Sequence, residues 1–348
     1  MEASRTFANL IPVDLPADMT PRLLAVVDTE EEFEWGKAFS RESVGTDTLS
    51  YQNIGQDILD RYGLKPTYVV DYPVATSPAV WSLRKIKDSG RCQIGAHLHP
   101  WVSPPFEEDV GPFNSFPGNL PRELEFRKLE FLTDVITKAA GEPPRVYKAG
   151  RYGIGPNTAE ALAKLGYKVD VSLVPHSDFR ADCGPDFRGL RDRPFWFGPQ
   201  SSLLEIPGSC GFVGSVQRYG PEFDRLLRWP FMRRFRMTGV AARLRLLERV
   251  SLSPEGFTLD EQCRLLRAMV EAGHRVFTLT YHSPSLVPGH TPYVRSRSDL
   301  EVFLSKLDGV IRFFMEELNG MPTTHYEMLR LVENIGAPVE KTAVLQNR

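Results

Sequence analysis

The sequence is poor in the features that would make a disulfide-framed, membrane-spanning or polyanion-binding protein. Its four cysteines, Cys92, Cys183, Cys210 and Cys263, are scattered through 348 residues with no C-x-x-C pair. That spacing argues against a disulfide framework and a zinc knuckle, and for thiols of a reducing compartment. No stretch approaches the roughly 20 apolar residues of a spanning helix. The first twenty residues hold Glu2, Arg5, Asp14 and Asp18 and no apolar core of a signal peptide. The expectation is a soluble, cytoplasmic protein. Charge of one sign is also lacking: the net charge is −2, so no global attraction to nucleic acid is expected. Gly-x-Gly-x-x-Gly and Walker loops are absent, as are repeats and low-complexity segments, which disfavours a nucleotide-binding sheet.

What the chain does have is alternation. Unbroken apolar runs such as Leu23–Val27 read as parallel strands buried on both faces. Strands are expected at 22–27, 67–70, 92–97, 145–149, 167–172, 194–197, 203–206 and 274–280. Helices are expected over about 47–62, 77–90, 120–140, 156–165, 258–272, 298–318 and 324–334. Strands and helices alternating this often predict an α/β fold with a parallel sheet, either a barrel or an open doubly wound sheet. Both place chemistry at the carboxyl ends of the strands. The expected organisation is an irregular arm (1–20), a single domain (21–335) with a basic helical insertion near 220–252, and a frayed tail (336–348).

Those strand ends carry the polar residues. Asp28 and Glu30 follow the first long strand and share its parity, so both face one side. The neighbouring Glu31, Glu32 and Glu34 are expected in a solvated acidic loop. His97 and His99 likewise share a face at the end of the third strand, and two imidazoles side by side are half of a metal site. Lys148 and Arg151, Asp170 and Ser172, and His282 close later strands. Carboxylates, imidazoles and a cation in one cleft suit metal-assisted hydrolysis. Trp35, Trp101, Phe106, Phe113 and Phe116 fall in strand-end loops, where aromatic rings could stack on sugar faces.

The order of these stretches resembles the polysaccharide deacetylase family (chitin deacetylase-like, NodB-homology) over roughly 22–320. Val27-Asp28-Thr29-Glu30, Gly95-Ala96-His97-Leu98-His99, Tyr147 to Gly153, Tyr167 to Ser172 and Leu279-Thr280-Tyr281-His282 stand where the family's five motifs stand. Asp-Thr-Glu-Glu-Glu-Phe, His-Leu-His-Pro-Trp, Ala-Gly-Arg-Tyr-Gly and His-Ser-Pro-Ser-Leu-x-Pro-Gly look most like its WalW-type branch. The resemblance implies an incomplete (β/α)7 barrel and deacetylation of an N-acetylated sugar or polysaccharide, a reaction on a non-peptide carbon–nitrogen bond. It implies a divalent metal, zinc first, on Glu30, His97 and His99. Asp28 is then the base and His282 the acid, with Arg151 or Lys148 orienting Asp28. Trp35, Trp101, Tyr152 and Asp170 are expected against the saccharide substrate. The chain departs from the family in two spacings: an Asp and a Glu two apart replace adjacent aspartates, and the histidines are two apart rather than four.

Residues 225–249 hold eight arginines against one acid, Glu248, among Leu, Phe and Trp. This basic amphipathic stretch is expected as a solvated helical face, in peripheral contact with an anionic membrane, or bound to a phosphorylated or acidic glycan carrier. His290 is expected at the rim, His176 in a strand-end loop where it could touch substrate, His274 in a structural role, and His325 without a partner. Hydrolysis of another linear amide, and a catalytically silent barrel that binds a glycan or partner, are the alternatives to sugar deacetylation.

Overall fold

Seven apolar runs become seven parallel strands, in the order β8-β6-β5-β4-β3-β2-β11. They are β2 (Arg22–Thr29), β3 (Thr67–Val70), β4 (Gln93–Leu98), β5 (Val146–Ala149), β6 (Val169–Asp170), β8 (Leu203–Glu205) and β11 (Val276–His282). The computed structural model describes residues 6–7, 9–227 and 246–336. The greater part of the arginine-rich stretch, 228–245, and the tail from 337 lie outside the described residues.

Alternation along β2 builds two cores. Leu23, Ala25 and Val27 face the helical layer, while Leu24 and Val26 face inward to meet Val69, Val146, Val169, Val171, Leu204 and Ile206. Met328, Leu329 and Val332 of the helix His325–Gly336 plug the inner core from the amino-terminal end of the strands. Each such side chain taken from water contributes roughly 1.5–3 kcal/mol. The same helix brings His325 Nδ1 to 2.7 Å from Thr67 Oγ1, so His325, expected to stand alone, has a partner.

The sheet is curved but not closed. Between β8 and β11 an irregular segment intervenes: the Thr278 N–H donates to Ser209 Oγ (2.9 Å) and the Thr280 N–H to the Leu252 carbonyl (3.1 Å). The architecture is therefore an incomplete (β/α) barrel rather than an open doubly wound sheet. On the far side, β7 (Phe195–Phe197) runs antiparallel to β8, and β1 (Ile11–Pro12) antiparallel to β7, covering the edge. A separate antiparallel pair, β9 (Cys210–Val213) with β10 (Glu248–Ser251), was not expected; it leads into the turn that carries Glu255. The short β12 (Met321–Pro322) pairs with the start of β2. Among the described residues no helix is long and apolar enough to cross a membrane.

Candidate metal and acid–base site

At the carboxyl end of the barrel, parity on β4 turns Gly95, His97 and His99 inward while Ile94, Ala96 and Leu98 pack under the helices. Both imidazoles are held by Nδ1: His97 Nδ1 donates to the Lys148 carbonyl (2.9 Å) and His99 Nδ1 to Glu31 Oε2 (2.7 Å). Fixing the proton on Nδ1 leaves each Nε2 lone pair free. The two Nε2 atoms sit 3.5 and 3.6 Å from Glu30 Oε2. All three side chains are about 2% exposed, and Glu30 Oε1 has no hydrogen-bond partner. Burial, with the nearby His97, pulls His99 down to about 4, so it is neutral at pH 7. Two imidazoles, each with Nε2 turned toward Glu30, and a buried carboxylate whose Oε1 has no hydrogen-bond partner fit a divalent cation. The His-x-His spacing satisfies this geometry because residues i and i+2 share a face of the strand.

Behind the triad stands a layer that sequence reasoning missed. Glu31, expected in solvent, is fully buried. It accepts from His99 Nδ1 and from Trp101 Nε1 (2.8 Å), and its own N–H donates to Asp71 Oδ2 (2.6 Å). Burial pushes Glu31 up to about 8; burial and Glu31 together push Asp71 well above the carboxylate range, so the pair retains a proton. Glu32 is also anchored, accepting from the Thr48 N–H (2.6 Å), whereas Glu34 stays exposed and pairs with Lys37. Trp101, expected against substrate, is 2% exposed and stacks on His99 at 4.2 Å; it braces the ligand and does not line the cavity.

Asp28, Lys148 and His282 stand opposite the triad. The register of β2 with β11 sets Asp28 beside His282, with Asp28 Oδ2 3.6 Å from His282 Nε2. Lys148 Nζ donates to both Asp28 oxygens (2.6 and 2.7 Å) and lies 3.2 Å from Thr280 Oγ1. Burial opposes ionisation of Asp28, but Lys148, with His97 and His282 behind it, outweighs burial and holds the carboxyl below its usual value. Glu255, from Ser253-Pro254-Glu255-Gly256, accepts from His282 Nδ1 (2.7 Å), from the His282 N–H (3.0 Å) and from Ser285 Oγ (2.5 Å). Burial lowers His282, yet Glu255, with Glu30 and Asp28, overcomes it and raises the imidazole to about 10.

The remaining expected site residues divide. Of the two candidates to orient Asp28, the structure selects Lys148: Arg151 donates instead to Ser115 Oγ (2.5 Å). Trp35 and Tyr152 line the cavity, with Trp35 edge-on to His282 (5.0 Å) and Lys148 Nζ over the Tyr152 ring (4.9 Å). Asp170 does not line it. With Val169 and Val171 pointing inward, Asp170 faces the outer layer, fully buried, where Ser172 Oγ donates to it (2.6 Å). His176 lies against Phe212, away from the cavity, and His274 and His176 both approach Asp192 (3.2 and 3.9 Å). His290 sits 3.7 Å from Glu32.

Asp28, Glu30, His97, His99, Lys148 and His282 thus open into one cavity of about 650 Å³, walled by Phe33, Trp35, Tyr152, Phe179 and Tyr293. Ligands for a cation, an ionised carboxylate and a protonated imidazole share it, an arrangement able to activate water and protonate a leaving group.

No model of a known protein family matches this chain, and no curated protein matches it. Solved structures do. A protein from Mycobacterium smegmatis, assigned as a polysaccharide deacetylase, is 17% identical over 93% of this chain and 94% of its own, with a TM-score of 0.52. Puue allantoinase is 14% identical over 96% and 97%, with a TM-score of 0.53. At such identities the likeness concerns the fold, and it extends over nearly the whole chain: this is the incomplete barrel of the polysaccharide deacetylase and allantoinase structures.

Proposed function

We propose that this protein is a metal-dependent hydrolase that removes an acetyl group from an N-acetylated sugar or polysaccharide, and that it belongs with the polysaccharide deacetylases in their WalW-type branch. The observation that carries the reading is the single cavity in which Glu30, His97 and His99 face the Asp28–Lys148 and His282–Glu255 pairs. Glu30, His97 and His99 would hold a divalent ion, zinc in the first instance, and when bound it would supply Lewis acidity toward an amide carbonyl and a water.

The chain's own residues supply the rest. Asp28, kept anionic by Lys148, takes the proton from the attacking water. Lys148 fixes the orientation of Asp28 and balances its charge. His282, kept protonated by Glu255, donates to the nitrogen as the carbon–nitrogen bond breaks, releasing acetate and an amine. Trp35 and Tyr293 border His282 and offer apolar faces to a sugar ring.

Acetate release from N-acetylated chito-oligosaccharides, followed with and without a chelator, tests the reading. Chelation should abolish release and added zinc restore it. His97→Ala should cost at least about tenfold in metal affinity, since loss even of a ligand's supporting partner costs 10–100-fold. A protein that takes up no divalent ion and releases no acetate is a silent barrel instead.

A further inference from the structure

We propose that Arg151 recognises a carboxylate on the substrate, so that the cavity selects an acidic sugar rather than a neutral one. The inference rests on the reading of this cavity as a hydrolase site and names the substrate class it takes.

Arg151 is placed with unusual definition. Both Arg151 (φ 55°) and Tyr152 (φ 59°) are left-handed, a conformation that is strained for a non-glycine residue and that collects at ligand sites. Two glycines make the turn possible. A Cβ on Gly150 would stand 2.4 Å from the Leu98 carbonyl and 2.5 Å from His99 Cδ2; one on Gly153 would stand 2.8 Å from Pro117. The strand end is therefore pressed against the metal-ligand strand on one side and the 116–118 turn on the other. That packing brings Arg151 into the cavity wall.

The guanidinium is built in but not neutralised. It lies 4.1 Å from the Phe116 ring and 5.1 Å from that of Phe39, and donates to Ser115 Oγ. Burial lowers its pKa below the arginine norm, yet arginine stays charged at any physiological pH. No carboxylate among the described residues lies within 4 Å of it, while the other cavity cations, Lys148, Lys37 and the His282 imidazolium, are paired with Asp28, Glu34 and Glu255. The acid that influences it most, Asp182, is exposed to solvent. A half-buried cation flanked by rings and given one neutral acceptor retains free N–H donors and unspent charge. A planar carboxylate meets that fork with two parallel hydrogen bonds. A dianion is the poorer match, because Glu42 and Asp182 also line the cavity and among the described lining residues no second cation lacks a carboxylate partner.

Binding, read separately from turnover, decides the point. Calorimetric titration of the metal-loaded protein with D-glucuronate, D-glucose and D-glucose 6-phosphate should show glucuronate binding at least about tenfold more tightly than glucose, a preference that weakens as salt rises. Arg151→Asn removes the charge while tolerating the left-handed backbone and should erase the preference; Arg151→Lys should keep only part of it. Equal binding of glucuronate and glucose to the wild type overturns the proposal whether or not either variant folds, and so does a preference for the phosphate. An unchanged preference in Arg151→Asn, folded by circular dichroism, does the same. If glucuronate binds as expected while no acetylated sugar is hydrolysed, the anion site stands and the deacetylase reading falls; acetate release without glucuronate preference gives the reverse.

Discussion

On the proposed mechanism, Asp28→Asn should lower the rate of acetate release about 10³-fold while the protein still takes up a divalent ion. General-base catalysis contributes roughly 10²–10⁴, and an asparagine cannot accept the proton of water. The proposed cation ligands Glu30, His97 and His99 are separate side chains, so metal content by plasma mass spectrometry should stay near the wild-type value. The variant should also unfold at a lower temperature. Lys148 Nζ is buried and donates to both Asp28 oxygens; removing one member of a buried ion pair costs about 3–5 kcal/mol because the other charge is stranded. The pH dependence follows from the depressed carboxyl. Asp28 contributes stability that is fully present above its unfolded value near 3.9 and is lost as pH falls through its lower folded value. Pairing Asp28→Asn with Lys148→Met should recover much of the melting temperature and none of the activity. Full activity in Asp28→Asn removes this residue as the base, and a wild-type melting temperature removes the stranded-charge argument.

Strand alternation makes a large part of this site legible. Asp28 with Glu30, and His97 with His99, follow buried strands at intervals of two, and the structure turns each pair to the inside. The same rule, carried through at Asp170, puts it outside, because Val169 and Val171 take the inner face. It also favours Lys148 over Arg151, since Lys148 shares parity with the inward Val146 while Arg151 sits in a left-handed turn that no alternation describes. Other roles depend on partners that are distant in sequence. Glu31 meets Asp71 forty residues on and His99 sixty-eight residues on; Glu255 meets His282 across twenty-seven. Within an acidic run such as Glu30-Glu31-Glu32, composition points to solvent, and only the chain's return at Asp71, His99 and Trp101 gives Glu31 donors inside. The Ser-Pro-Glu-Gly turn ahead of the Thr258–Glu261 capping box is the one local sign of Glu255, marking where a loop ends and a helix is held in place.

Glu255→Gln should move the alkaline limb of the pH–rate profile down by more than one unit. In the wild type, burial disfavours protonated His282, but Glu255, Glu30 and Asp28 together raise it to about 10, so the imidazolium persists across neutral pH and the rate falls only as pH approaches that value. The linked stability has the same sign: it is fully present below the unfolded histidine value near 6.5 and is lost as pH rises through about 10. Glutamine keeps the length of the side chain and one carbonyl acceptor for His282 Nδ1–H, but removes the charge that contributes most to the upward shift. Burial then has less opposing it, and the limb moves toward, or below, 6.5. Metal content should not change, because Glu255 touches only His282 and Ser285 among the groups of this site. A purely structural role for Glu255 would lower the rate evenly at every pH. A shifted limb with a preserved plateau on its acid side marks Glu255 as the residue that keeps His282 charged, and a limb that stays near 10 in Glu255→Gln removes His282 as the proton donor.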